Sequence, residues 1–243
     1  MNSFRRHRTT ARPRLRIVCF PHVGGAASFF RTWPAGLPGD VDVLAAQYPG
    51  HEDRIAEPFA DDLRGLAAEL ADDLIPLLDA PTLLFGHSMG ATVAYEAARR
   101  IEALVPRARI ALAVSASAAP DAPRQGPADD GDDALVAHLR ELGGVPAEVL
   151  AEPELRELVL PVIRHDYVML RDHRDDPQPR LRSPIMAFCG QDDALAGPSQ
   201  VRRWDTRTAG RFTLKVFAGG HFYLVPQQNE LLKELTAWPP AAP

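Results

Sequence analysis

Six short apolar runs recur along the chain, and each contains at least one β-branched residue. The runs are Leu15 to Phe20, Val41 to Gln47, Thr82 to Phe85, Ile110 to Ser115, Ile185 to Cys189 and Phe212 to Phe217. Apolar runs of this length, bounded by polar or glycine-rich segments, are typical of strands that are buried on both faces of a parallel sheet. The pattern therefore predicts six buried strands.

Helical patterns lie between several of these runs. One helical face carries the leucines Leu63, Leu66, Leu70, Leu74 and Leu77. Asp61 and Asp62 precede this face as possible N-caps, and a second helix, Ala91 to Leu104, follows the third apolar run. Because strands and helices alternate, the sequence predicts an α/β fold with a mostly parallel, doubly wound sheet.

The alternation fails between about Pro120 and Pro179, where no strand pattern is present. A cluster of Pro, Gly and Asp is followed by three short helical pieces, Ala134 to Leu142, Ala147 to Leu150 and Glu154 to Arg171. Helices inserted between strands behind a flexible acidic loop are typical of a lid over a site, so we expect a helical lid at about 120–179 inside one domain at 14–238. A passive helical embellishment is the alternative.

Composition and charge narrow the function classes. The 243 residues are 46% hydrophobic and 24% charged, and the net charge is -5, which is too mild to indicate nucleic-acid binding. No run of about 18 apolar residues is present, which argues against a membrane span. Cys19 and Cys189 lie inside apolar runs and form neither a metal-ligand pattern nor a disulfide framework. We expect a cytoplasmic monomer without a metal or cofactor.

The two ends of the chain differ in composition from the rest. Six arginines and no acidic residue occur between Arg5 and Arg16, and no apolar stretch of signal-peptide length follows. We expect a disordered basic leader at 1–13, with a transit peptide or an arm for an anionic partner as alternatives. A Pro/Ala tail is expected at 239–243.

A nucleophile elbow is indicated by the segment Gly86 to Gly90, which reads GHSMG. It directly follows one predicted strand and directly precedes a predicted helix, which is the context that this motif requires. The sharp turn places the serine hydroxyl above the carboxyl edge of the sheet, and the helix N-terminus beneath it favours developing negative charge. Ser88 is therefore the predicted nucleophile.

The serine needs a base and an acid, which follow it along the chain in this type of fold. His138, His165 and His173 fall in the helical insertion, whereas His221 follows the last predicted strand, so His221 is the predicted base. The preceding strand is followed by Asp192 and Asp193, and both are candidates for the acid. We assign the orienting role to Asp193 and expect Asp192 to bond its own backbone in a turn.

Two backbone N–H groups are needed to stabilise the oxyanion of a tetrahedral intermediate. Met89, which follows the nucleophile, is one predicted donor, and Val23 in the glycine-containing loop after the first strand is the other. His22 and His87 flank this site. For each of them a packing or hydrogen-bonding role is favoured over proton transfer.

Six motifs along the chain together resemble those of one enzyme family. They are PHVGG after the first strand, YPGHEDR at Tyr48 to Arg54, GHSMGA at Gly86 to Ala91, IRHDYVMLRDH at Ile163 to His173, GQDD after the fifth strand, and GGHFYL at Gly219 to Leu224. The chain resembles the type II thioesterases of polyketide and nonribosomal peptide synthetases, which have the α/β-hydrolase fold. It departs from the usual family pattern at Val23, where alanine is common, and at His51, where arginine is common.

The resemblance implies hydrolysis of thioesters on the phosphopantetheine arm of acyl or peptidyl carrier proteins, which would remove aberrant or stalled acyl groups. The alternatives are a general carboxylester hydrolase, a chain-releasing thioesterase or cyclase of the same fold, and an inactive scaffold subunit. Leu135, Leu139 and Val159 are candidates for contact with the acyl chain, although packing within the lid explains them equally well.

Overall fold

The computed structural model describes residues 3–122, 127, 131–176 and 179–238. The predicted Pro/Ala tail and most of the acidic stretch at the start of the predicted lid lie outside these residues. No helix within the described part of the chain is both long and apolar enough to cross a membrane.

A seven-stranded sheet forms the centre of the molecule. Its strands are β1 Phe4–Arg8, β2 Leu15–Phe20, β3 Val41–Ala46, β4 Thr82–His87, β5 Ile110–Ser115, β6 Ile185–Gly190 and β7 Phe212–Phe217. The strand order is β1-β3-β2-β4-β5-β6-β7, and every neighbouring pair from β3 to β7 is parallel. The six predicted strands and the mostly parallel α/β sheet are thus confirmed.

Helices cover both faces of the sheet. They are α1 Leu63–Leu74, α2 Met89–Leu104, α3 Asp132–Leu142, α4 Ala147–Ala151, α5 Pro153–Asp172, α6 Pro198–Arg202 and α7 Gln228–Thr236. Asp62 caps α1, because its carboxylate accepts the N–H of Gly65 at 2.8 Å. The buried face of α1 includes the leucines that were predicted to form it, except for Leu77, which lies in a following 3-10 turn.

The expectation of a disordered leader is wrong for β1, which pairs antiparallel with β3. Phe4 is buried and packs edge to face on Phe20, with ring centroids 6.5 Å apart. Two of the arginines have specific partners: Arg5 forms two hydrogen bonds with Asp53, and the guanidinium of Arg8 donates to the carbonyl of Val41 at 2.8 Å. The buried Phe4 ring and the hydrogen-bonded guanidinium groups therefore offset the conformational entropy that this basic segment loses when it is ordered.

Between β5 and β6, where the sequence predicted three helical pieces, the described residues form three helices. These helices, α3, α4 and α5, are called the cap below. α5 reaches the loop that follows β2, where the side chain of Ile163 packs directly against Gly24. The cap therefore lies over the carboxyl ends of the parallel strands, which is the edge where α/β sheets place their ligand sites.

Candidate active site

Ser88 lies at the junction of β4 and α2 in a strained backbone conformation, with φ 56° and ψ −120°. A positive φ is costly for a residue with a Cβ atom and persists where the surroundings enforce it. Here the turn is enforced by close backbone packing: a Cβ on Gly86 would lie 2.1 Å from the carbonyl oxygen of Gly90, and one on Gly90 would lie 2.0 Å from that of Phe20. The elbow at Ser88 thus needs glycine on both sides.

His221 and Asp193 form a buried hydrogen-bonded pair. The loops that carry them meet after β6 and β7, where Gly190 lies so close to the carbonyl of Gly219 that a Cβ would approach it to 2.2 Å. The Nδ1–H of His221 donates to Oδ2 of Asp193 at 2.9 Å. This bond leaves Nε2 of His221 as the basic nitrogen, and that atom is buried with no hydrogen-bond partner among the described residues.

Asp193 is held in its ionised form by its donors. Burial alone would raise the pKa of its carboxyl group, but the hydrogen bond from His221 and the N–H groups of Ala196 and Leu195 outweigh it, and the pKa is lowered from its ordinary value. The turn that was predicted for Asp192 is made by Asp193 instead, whose Oδ1 accepts both N–H groups at 3.1 and 2.9 Å. Asp192 is exposed, and its Oδ2 accepts from the side chain of Gln191.

Ser88 and His221 line the same cavity, whose volume is about 100 Å³. The cap contributes Leu142 from α3 and two residues from α5, Tyr167 and Leu170. These contacts were not predicted from the sequence. The predicted acyl-contact candidates do not line this cavity: Leu135 and Leu139 are buried in a hydrophobic cluster, and Val159 is partly buried against that cluster.

The two predicted oxyanion donors lie on neighbouring segments. Met89 is the first residue of α2, so its N–H has no acceptor within the helix. The loop that carries Val23 begins at Pro21, whose carbonyl oxygen would lie 2.5 Å from a Cβ on Gly90. Among the described residues, no acceptor is bonded to the N–H of Val23.

His22 and His87 are buried beside this site as neutral rings. Burial, together with the nearby His221 and His51, lowers the pKa of His22 to about 3. Burial also lowers the pKa of His87 well below its ordinary value, and its Nδ1 is 3.0 Å from the hydroxyl of Ser115. Both rings pack edge-on or tilted against Phe222, which accords with packing and hydrogen-bonding roles.

Comparison with known proteins places this geometry in a family. The thioesterase domain model matches residues 15–238. The chain is 37% identical over 233 residues to the "Probable cadicidin biosynthesis thioesterase" of Streptomyces griseus, covering 95% of this chain but 64% of that relative, which is slightly under two thirds of its length. It is 37% identical over 224 residues to thioesterase PikA5 of Streptomyces venezuelae, covering 91% of this chain and 80% of PikA5.

Solved structures agree with these sequence matches. The type II thioesterase BorB from the borrelidin biosynthetic cluster superposes with a TM-score of 0.84 at 41% identity, covering 96% of both chains. The α/β-hydrolase fold and the resemblance predicted from the six motifs are confirmed. The chain therefore belongs to the thioesterase domain family.

Proposed function

We propose that this protein is a type II thioesterase that hydrolyses acyl or peptidyl thioesters carried on the phosphopantetheine arm of carrier proteins. One observation carries the proposal: a strained serine and a carboxylate-bound histidine open onto one cavity in a chain of the thioesterase family. The relatives named above include biosynthesis thioesterases, which supports an acyl or peptidyl carrier protein as the partner.

The proposed reaction proceeds through an acyl-serine intermediate. Nε2 of His221 accepts the hydroxyl proton of Ser88 as its Oγ attacks the thioester carbonyl, and Asp193 stabilises the imidazolium that forms. The tetrahedral oxyanion is bound by the N–H groups of Val23 and Met89. The intermediate collapses with departure of the thiolate, which takes the proton from His221, and the same histidine then activates a water molecule that releases the acid.

The first test compares leaving groups. We expect kcat/KM for an acyl thioester on the carrier protein to exceed that for a small oxygen ester of the same acyl group by at least about 10-fold. The thiolate is the better leaving group, and the carrier contacts add binding energy that is realised in the transition state. The measurement is release of the free acid, with the acyl-pantetheine thioester as a control that lacks the carrier. Equal kcat/KM values for all three substrates would favour the general carboxylester hydrolase.

We also propose that the cap forms the acyl pocket. The support is geometric: Leu142, Tyr167 and Leu170 are the cap residues that line the cavity shared by Ser88 and His221. An acyl chain attached to Ser88 would extend against these side chains. The proposal moves the acyl contact from the residues predicted by the sequence to their neighbours along α3 and α5.

A bulky substitution tests this pocket. Leu170→Trp fills space in a cavity of about 100 Å³, so we expect turnover of a hexanoyl thioester to fall at least about 10-fold relative to that of an acetyl thioester. The matched control is Leu158→Trp on the same helix, whose side chain is 57% exposed, and it should leave the ratio unchanged. An unchanged ratio in Leu170→Trp would mean that the acyl chain lies elsewhere.

A further inference from the structure

A second buried pair of titratable residues lies outside the proposed triad. Nε2 of His51, in the loop after β3, is 3.0 Å from Oδ2 of Asp166 on α5. The side chains are 2% and 0% exposed, respectively. The pair therefore links the cap to the body of the molecule in the interior.

The same carboxylate also holds the loop after β2. Oδ2 of Asp166 accepts the N–H of Gly24 at 2.8 Å. Gly24 has φ +68°, and a Cβ there would lie 2.4 Å from the side chain of Ile163, one turn before Asp166 on α5. Gly24 directly follows Val23, so this bond fixes the peptide plane next to the predicted oxyanion donor.

Both ring nitrogens of His51 face oxygen atoms that can only accept. Nδ1 is 2.9 Å from the carbonyl oxygen of Pro49, and Nε2 faces the carboxylate of Asp166. A ring that donates from both nitrogens is an imidazolium. Burial would lower the pKa of His51, but the hydrogen bond and charge of Asp166 outweigh it and raise the pKa from its ordinary value.

Stabilisation of the fold does not by itself explain the pair of His51 and Asp166. A buried ion pair seldom stabilises a fold more than apolar packing would. Here the second carboxylate oxygen, Oδ1 of Asp166, is buried without a hydrogen-bond partner among the described residues, which adds a desolvation cost. Such an incompletely satisfied group next to a site calls for a functional explanation.

We propose that Asp166 is a positioning residue that sets the oxyanion loop for catalysis, and that protonated His51 holds its carboxylate in place. The inference rests on the function proposed above. Asp166 acts through the backbone of Gly24 and does not touch the substrate. Because Tyr167, the next residue on α5, lines the cavity of Ser88, one helical turn both shapes the acyl pocket and orients the oxyanion donor.

This arrangement makes the site sensitive to alkaline pH. The groups that face His51 are Asp166 from α5, Tyr48 and Glu52 from its own loop, and His22 from the loop after β2. Burial raises the pKa of Tyr48 well above its ordinary value and lowers that of His22, so neither is charged near neutrality. His51 is therefore protonated below its raised pKa, and the positive charge that holds the carboxylate of Asp166 is lost as the pH rises through that value.

The decisive variant is Asp166→Asn, which keeps the side-chain shape and removes the charge. We expect kcat for a carrier-bound thioester to fall about 10- to 100-fold while KM changes less than about twofold, because a misplaced oxyanion donor weakens only transition-state binding. Inactivation of Ser88 by a fluorophosphonate should slow similarly, since its phosphoryl oxygen occupies the same position. The matched control is Asp172→Asn, an exposed carboxylate on the same helix whose partner is its neighbour Arg171.

The histidine provides an independent test through the pH profile. His51→Arg keeps a permanent charge, so the alkaline fall in kcat/KM should disappear. His51→Gln is neutral at every pH and should lower kcat about as much as Asp166→Asn. If the alkaline limb of His51→Arg matches that of the original protein, or if Asp166→Asn lowers only the melting temperature, the inference is overturned.

These outcomes separate this inference from the proposed function. If the protein does not hydrolyse carrier-bound thioesters, the proposed function fails, while the fluorophosphonate rates still report on the oxyanion loop. If hydrolysis is observed but the Asp166 and His51 variants behave like Asp172→Asn, the positioning role alone fails. If Asp166→Asn does not fold, the pH profiles and kcat values of His51→Arg and His51→Gln test the positioning role instead.

Discussion

Ser88→Ala and His221→Ala should each lower kcat for a carrier-bound thioester by on the order of 10³-fold or more. Alanine at 88 removes the atom that forms the acyl intermediate, and alanine at 221 removes the group that accepts its proton. Ser88 is half-buried, and neither side chain belongs to a hydrophobic cluster, so the fold should persist. The measurement is single-turnover release of the acid by variants whose circular dichroism and melting match those of the original protein.

A matched control for the serine is available in the same cavity. Ser117 also lines it, and its hydroxyl donates to the carbonyl oxygen of Ala118 rather than to a triad member. Ser117→Ala should therefore retain activity within about threefold of the original. Near-normal turnover by Ser88→Ala or by His221→Ala would contradict the proposed mechanism, whatever the control shows.

The second large effect is expected at Asp193 and not at its neighbour Asp192. Asp193→Asn should lower kcat by about 10²- to 10⁴-fold, because the amide no longer stabilises the imidazolium and favours the wrong tautomer of His221. Asp192→Asn should change kcat by less than about threefold, since its carboxylate is exposed and bonded only to Gln191 in the described hydrogen bonds. Both variants make the same chemical change one residue apart, so each controls for the other.

The pH dependence adds a second readout. The pKa of Asp193 is lowered from its ordinary value, so the carboxylate stays ionised at neutral pH and its contribution to stability is lost only as the pH falls through that lowered value. Asp193→Asn should therefore melt at a lower temperature at pH 7, and the difference should narrow in acid. If Asp192→Asn costs more activity than Asp193→Asn, the acid lies one residue upstream.

The sheet was predictable because its central strands are buried on both faces. Such strands need continuous apolar sequence, and the runs at β2 and β5 match the observed bounds without adjustment. β1 escaped prediction because an edge strand is exposed along one side and tolerates arginine. Its single apolar anchor, Phe4, and its partners in β3 are separated by about 40 residues, a contact that local patterns do not reveal.

In the candidate site, too, local motifs predict some of the residues, and contacts between distant parts of the chain escape prediction. Ser88, His221 and Asp193 lie in short motifs at strand ends, where chain order and turn chemistry limit the choices. The pairing of His51 with Asp166 joins residues 115 positions apart, and neither neighbourhood contains a signal for the other. Helical periodicity in the cap predicted which residues are apolar, but not which of them face Ser88, because that depends on how α3 and α5 dock.

The antiparallel pairing of β1 has a practical consequence for anyone who trims the protein to its recognisable family segment. That segment begins at residue 15, one strand too late. A chain that lacks β1 would expose the N–H and C=O groups on the outer edge of β3 that now pair with β1. It would also expose the apolar surface that Phe4 covers, including Phe20. Such an open, apolar border invites pairing between molecules, and the shortened protein would tend to aggregate on expression.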